Sequence, residues 1–385
     1  MDGETVNKIR PGEPGYYRAI ARQAVADIVA NFWKGDAPDG YLIPTWDGYP
    51  GDELPDNRGA IWESAMLHFC IYDTWVATGD EDYRKLLVSE AAYIRGSFGT
   101  EELENAGGNQ LWWCDDCGWN AMLFLNCYQI TGDTWFVDRA INLLDNVVKR
   151  WYSEELNGLY YKDDGDFMAL YEVSIALSWL RLKQITGEQR FYDLALRSYE
   201  GMHARLGQGR DDGLYYCEAN LQKPFGRKED IAEARSSSFL AGNLGMAALA
   251  AKFYRLTGNE EYLNRVYRTN QGLLEHYVLE GGILLNDRDA WTNGVFTSFY
   301  VSEVLSLPGT EELAQILRNT AQSIVTNART EQGYYGGSWQ GPAEGEGSKW
   351  FAKGSVPKQS MTTATSVLMV VAAAIAEAGI KDYVR

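Results

Sequence analysis

A short phrase recurs along this chain and limits what it can fold into. Ala77-Thr-Gly-Asp-Glu-Asp-Tyr83 is followed by Ile130-Thr-Gly-Asp-Thr-Trp-Phe136, Ile185-Thr-Gly-Glu-Gln-Arg-Phe191 and Leu256-Thr-Gly-Asn-Glu-Glu-Tyr262. Leu307-Pro-Gly-Thr-Glu-Glu-Leu313 is a degenerate copy. The glycines recur roughly every 50–70 residues, a period that marks a repeat architecture. Each copy reads as a helix stop and restart. Glycine ends one helix in the left-handed conformation. The next residue, Asp, Glu, Asn or Thr, favours the start of another helix. An aromatic residue or Leu a few positions on packs back against the joint. The unit is therefore a tight helical hairpin.

Apolar periodicity around these turns predicts about twelve helices, over 14–33, 58–78, 80–97, 117–131, 133–152, 166–186, 188–205, 235–257, 259–279, 291–306, 310–328 and 360–379. Strings such as Ala241–Tyr254 and Thr363–Ala378 are apolar nearly all round, as in a helix buried on every side. Their partners across each turn, for instance Glu188–Arg205, are amphipathic. Alternation of buried and half-exposed helices fits an all-α fold, the (α/α)6 barrel of six inner and six outer helices. An open superhelix of helical pairs is the rival, but its repeats would be shorter, near 34 residues, and its inner helices less apolar. No linker rich in Pro, Ser or Gly divides the sequence, so one domain spanning 1–385 is expected.

The connections are asymmetric. The tight turns occupy one end, while 34–57, 98–116, 153–165, 206–234, 280–290 and 329–359 are long. Long loops on a rigid scaffold are where function concentrates. These carry the candidate substrate contacts Trp46, Trp112, Trp113, Tyr215, Asp289 and Trp339, with Asp166 and Trp291 at their borders. Indole and phenol rings offer flat apolar faces for sugar rings. Short tyrosine-rich pieces, Gly158–Tyr161 and Gly213–Tyr216, are candidates for small paired strands.

One segment concentrates chemistry: Leu111-Trp-Trp-Cys-Asp-Asp-Cys-Gly-Trp119, followed by an apolar helix over Asn120–Ile130. Two carboxylates, Asp115 and Asp116, stand among three indoles. Such a pair can divide the work of glycosidic cleavage. The bland alternative is that both merely cap the helix, where Asp is preferred. Cys114 and Cys117 flank the acids as a lone CxxC. A zinc site would need two further soft ligands nearby, and redox chemistry a βαβ context; neither is present in the sequence. Both read as structural thiols, and no metal or other cofactor is expected.

The formal charge is −18. That field disfavours nucleic acid, anionic membranes and anionic sugars as partners, leaving a neutral glycan as the natural substrate. No run of 18 apolar residues is seen, so membrane insertion is not expected. Met1–Pro11 is polar and lacks the apolar core of a signal peptide, which places the chain in the cytoplasm, or outside the cell if a leader has been removed. Oligomeric state is not legible. The three histidines, His68, His203 and His276, all fall in helical stretches. This weighs against a sugar 2-epimerase, which shares the barrel but needs histidine bases.

The run Asp115-Asp116, Trp119, Gln129-Ile-Thr-Gly-Asp133 and Phe136 resembles family 76 glycoside hydrolases, the endo-α-1,6-mannanases. Further matches are Tyr254–Asn259 with Tyr262, Thr292–Phe296, and Gly336-Gly-Ser-Trp-Gln-Gly341. The resemblance spans about Trp62 to Ala374. It implies an (α/α)6 fold and a retaining reaction with Asp115 as nucleophile and Asp116 as acid/base. The chain departs from the family's usual pattern at Cys114, at Asn293–Phe296 and at Gly158–Tyr161, differences that bear on which sugar and linkage it takes. Unsaturated glucuronyl hydrolases, another α-1,6-glycan hydrolase, and an inactive glycan-binding protein stand as alternatives.

Overall fold

The computed structural model of the chain describes residues 9–43, 61–98, 114–160, 167–207, 210–220, 240–286, 292–343 and 360–381. Among the described residues lie twelve helices: α1 (Tyr16–Phe32), α2 (Ile61–Thr78), α3 (Glu81–Phe98), α4 (Cys114–Thr131), α5 (Trp135–Trp151), α6 (Val173–Thr186), α7 (Gln189–Leu206), α8 (Leu240–Thr257), α9 (Glu260–His276), α10 (Thr297–Val304), α11 (Glu311–Asn327) and α12 (Ser360–Ala378). The strands are short antiparallel pairs: β1 (Trp33–Lys34) with β2 (Tyr41–Leu42), β3 (Tyr152–Ser153) with β4 (Gly158–Leu159), β5 (Phe167–Ala169) with β6 (Glu218–Asn220), and β7 (Val278–Leu279) with β8 (Ile283–Leu284). The protein is all-α, as the periodicity predicts.

The repeated phrase closes on itself through hydrogen bonds. Gly79, Gly132, Gly187 and Gly258 all adopt positive φ, between 67° and 78°. Their N–H groups donate to the carbonyls of Trp75, Tyr128, Lys183 and Tyr254 at 2.7–3.0 Å. The preceding threonine has two tasks. Thr131 donates its hydroxyl to the Cys127 carbonyl and accepts the Asp133 N–H. Thr78, Thr186 and Thr257 do the same. The residue after glycine then caps the next helix: Asp80, Asp133 and Asn259 each accept a first-turn N–H at 3.1 Å. Glu188 makes no such cap. Tyr83, Phe136, Phe191, Tyr262 and Leu313 are buried against the joints. Several of the groups orphaned at these helix ends are thus matched locally.

Contacts divide the chain into two compact units, Met1–Tyr93 with His276–Tyr383, and Ile94–Glu275 with the last two residues. In the first, α12 packs against α1, α2, α10 and α11, and its residues from Ser360 to Ile375 are all buried. By length and composition α12 is apolar enough to cross a bilayer, and 83% of its apolar window is enclosed by protein. Glu377 near its end caps α1, accepting the N–H groups of Gly15, Tyr17 and Arg18. Asp27 takes a bidentate bond from Arg329 and the Tyr335 hydroxyl, pinning α1 to the turn at 329–335.

In the second unit, α4 packs on α5 and α6, α6 on α7, and α8 on α6. Helices α4 and α6 approach so closely that a Cβ at Gly118 would overlap Ser174 Oγ and lie 2.8 Å from Ser174 Cβ. Farther along the same pair, buried Arg181 donates to Asn126 Oδ1 at 2.6 Å and to the Leu125 carbonyl at 2.8 Å.

Three local expectations shift. Helix α4 begins at Cys114 rather than near 117, which puts both aspartates inside its first turn; charge there is favoured without a formal cap. The segment expected as one helix over 166–186 is β5, a 3-10 turn (Leu170–Glu172) and then α6. Gly213–Tyr216 is not a strand. Its N–H groups are already committed, Tyr215 to Asn243 Oδ1 and Tyr216 to the Leu206 carbonyl. The chain pairs two residues later, as β6.

Candidate active site

The first turn of α4 carries the acid pair. Asp115 is 8% exposed and Asp116 is half-buried. The Asp115 carboxyl takes hydrogen bonds from the Trp119 indole and from backbone N–H of the turn, yet burial and the neighbouring Asp116 outweigh them and raise its proton affinity well above the usual carboxylate range. Its Oδ1 is buried with no partner among the described residues. Asp115 therefore holds its proton more tightly than an ordinary carboxyl, in a site that disfavours a second negative charge. A carboxyl of raised proton affinity beside a second acid suits two-role catalysis. Trp119 itself is buried, a core ring whose polar edge touches the site.

A third acid lies alongside. Glu172 ends the 3-10 turn that leads into α6 and is fully buried. Its Oε2 accepts the Leu159 N–H and the Ser198 hydroxyl, both at 3.3 Å. Burial raises the proton affinity of Glu172 well above the usual carboxylate range, and Asp115 pushes in the same direction. Sequence reasoning passes over this residue. The only signal is an acid immediately before an apolar helix, which is indistinguishable from ordinary first-turn charge.

Cys114 and Cys117 are free buried thiols. Burial raises both, with Glu172, Asp115 and Asp116 adding to the effect at Cys114 and Asp116 and Asp115 at Cys117. Among the described residues no group of three or more His, Cys, Asp or Glu gathers as a metal site would.

Two of the other candidates lie among the described residues. Tyr215 is buried in the second unit, its hydroxyl 2.9 Å from His203 Nδ1 and its proton affinity pushed up to about 12 by burial. Trp339, in the first unit, is 1% exposed and donates its indole N–H to Ser366 at 3.1 Å. Both rings are packed inside the protein in this structure. Trp46, Trp112, Trp113, Asp166, Asp289 and Trp291 lie outside the described residues.

The sequence pattern of Glycosyl hydrolase family 76 matches residues 17–382. The chain belongs to this family. It is accordingly a glycoside hydrolase. No curated protein matches it. Among solved structures it is similar to the α-1,6-mannanase GH76A of Salegentibacter sp. HEL1_6, with 17% identity, 93% of this chain and 99% of that one covered, and a TM-score of 0.70. A variant of that mannanase with two consecutive aspartates changed to asparagine is inactive and is seen in complex with α-1,6-mannotriose. The family 76 mannosidase Bt3792 of Bacteroides thetaiotaomicron aligns at 13% identity over 94% of this chain and 98% of that one, TM-score 0.68. Dfg5 from Chaetomium thermophilum, in complex with glucosamine, aligns at 14% over 96% and 92%, TM-score 0.70. These likenesses show the fold, the helical barrel of family 76.

Proposed function

We infer that the protein is a retaining hydrolase of a neutral α-1,6-linked mannan and that Asp115 and Asp116 perform the cleavage. The observation that carries this reading is the adjacent pair of carboxyls in the first turn of α4, with Asp115 buried and hydrogen-bonded by the Trp119 indole. It is supported by the inactive double variant of the Salegentibacter mannanase, in which two adjacent aspartates are lost together. The mannose and the 1,6 linkage come from that likeness; the neutrality of the substrate comes from the −18 charge.

In the unliganded chain burial and the neighbouring Asp116 favour the protonated form of Asp115. For Asp115 to attack, the proton passes to Asp116 beside it. The Asp115 carboxylate then bonds to the anomeric carbon, the glycosidic C–O bond breaks, and Asp116 delivers the proton to the leaving oxygen. In the second half Asp116 takes a proton from water. The hydroxide equivalent attacks the anomeric carbon and the Asp115 carboxylate departs. The Trp119 N–H stabilises the carboxylate form of Asp115 whenever it appears.

A panel of α-1,6-mannan, another α-1,6-glycan, a glucosamine-bearing glycan and unsaturated uronides, followed by reducing-sugar release and by NMR of the first-formed anomer, tests the reading. Release from α-1,6-mannan with retention is expected. Inversion would overturn the nucleophile assignment, activity confined to uronides would overturn the substrate, and binding without release would mark a glycan-binding protein. Asp115→Asn and Asp116→Asn are each expected to lower kcat by about 10³-fold or more with the fold intact. A loss of stability with activity retained would return the pair to a capping role.

A further inference from the structure

We propose that Asn120 is a positioning residue for Asp116: one turn below it on α4, its side-chain amide donates to the Asp116 carboxylate whenever that group is ionised. The proposal rests on the catalytic reading of the acid pair.

In an α-helix a side chain lies over the turn that precedes it, so residues four apart meet. The second turn of α4 thereby sets Trp119 under Asp115 and Asn120 under Asp116. The first of these contacts is made: the Trp119 indole donates to the Asp115 carboxyl. Asn120 stands in the same relation to the second acid. Its other neighbours at helical spacing are Cys117, Leu123 and Phe124. Leu123 and Phe124 are apolar, and Phe124 packs edge-on against Trp135 of α5. Cys117 is a buried thiol, a weak partner for an amide. Of these four side chains, Asp116 is the one strong acceptor.

Asn120 is 3% exposed, and its Oδ1 is buried with no hydrogen-bond partner among the described residues. The residues that follow it, Ala121 to Leu125, are all buried and apolar. A buried amide whose oxygen is unmatched costs stability that a leucine in its place would spare. A charge-assisted bond from Nδ2 to Asp116 offsets that cost.

Asp116 changes state twice in each turnover of the mechanism given above. It gives its proton to the leaving oxygen, stands ionised beside the glycosyl-enzyme, and then takes a proton from water. A donor at Asn120 stabilises the ionised state and orients its oxygens. It thereby lowers the proton affinity of Asp116 and eases transfer to the leaving group.

Asn120→Leu keeps the approximate size and removes the amide. It is expected to melt at or above the wild-type Tm, yet to lose about tenfold or more in kcat with KM changed less than about threefold. Its alkaline limb of kcat/KM, which reports the proton on Asp116, should lie about half a pH unit or more higher. Asp115 of α4 and Arg150 of α5, charges near the first turn, are untouched by the substitution, so the displacement reads the amide. If the Asn120→Leu protein does not fold, Asn120→Ala carries the same comparison. An unmoved limb, whether kcat is kept or lost, would overturn the positioning role alone; a lowered Tm with that unmoved limb would mark Asn120 as structural. Wild type inactive on every glycan, or an Asp116→Asn variant of wild-type activity, would overturn the catalytic reading and this role with it.

Discussion

Glu90 offers the sharpest test of how this fold handles buried charge. It lies on α3, 2% exposed, where its Oε2 accepts the Leu42 N–H of β2 at 2.8 Å. Ser89 beside it bonds both the N–H and the carbonyl of Gly40, and Tyr93 stacks on Tyr41. Burial pushes the Glu90 carboxyl from 4.5 up to about 8. Above pH 4.5 the unfolded chain gains by ionising this group while the folded chain keeps it protonated. Stability from Glu90 is therefore complete below about pH 4.5, falls by ~1.4 kcal/mol per pH unit, and is gone above about pH 8, a total of about 5 kcal/mol. Glu90→Gln retains an acceptor for Leu42 and removes the titration. Urea unfolding of both proteins at pH 5, 6, 7 and 8 should show near-equal stability at pH 5 and a growing advantage for the variant, about 4 kcal/mol by pH 8. The difference between the two proteins cancels the contributions of Asp115 and Glu172, which slope the same way. Lifting the β1–β2 hairpin off α3 exposes the same carboxyl, so hydrogen exchange at the Leu42 amide sets the ceiling of the gain. A stability difference independent of pH would refute the protonated state of Glu90.

Two further outcomes follow from packing. Gly118→Ala should destabilise the protein by about 1–3 kcal/mol through overlap with Ser174 and lower activity by displacing the first turn of α4; adding Ser174→Gly should restore both, and an unaffected single variant would contradict the close approach. All five cysteines are buried, so Ellman's reagent should modify none in the native protein at pH 7–8 and all five after denaturation; rapid native labelling of Cys114 or Cys117 would contradict their placement.

The helical hairpins were legible because each is written locally. The Thr hydroxyl, the positive φ of Gly132 and the Asp133 cap all find partners within a few residues. The aspartate pair stands out in the sequence as adjacent acids among indoles, but it was placed ahead of the helix rather than in its first turn. First-turn charge and N-cap charge look alike in sequence. Glu172 was not legible. What makes it notable is its neighbours, Leu159, Ser198 and Asp115, which lie 13, 26 and 57 residues away in the chain. Trp339 shows the opposite limit: a tryptophan beside glycines reads as an open ring, while the partner that occupies it, Ser366, sits on a helix 27 residues later.

The two units differ in how they must be made. The second is one continuous stretch, Ile94–Glu275, whereas the first joins the beginning of the chain to its end. Its central helix, α12, supplies the surface on which α1 and α2 pack, and it leaves the ribosome long after they do. During synthesis the apolar faces of α1 and α2 must wait, unmatched, for about 300 residues to be added. The acid pair belongs to the intervening stretch. Unmatched apolar helices expose a nascent chain to aggregation until their partner emerges.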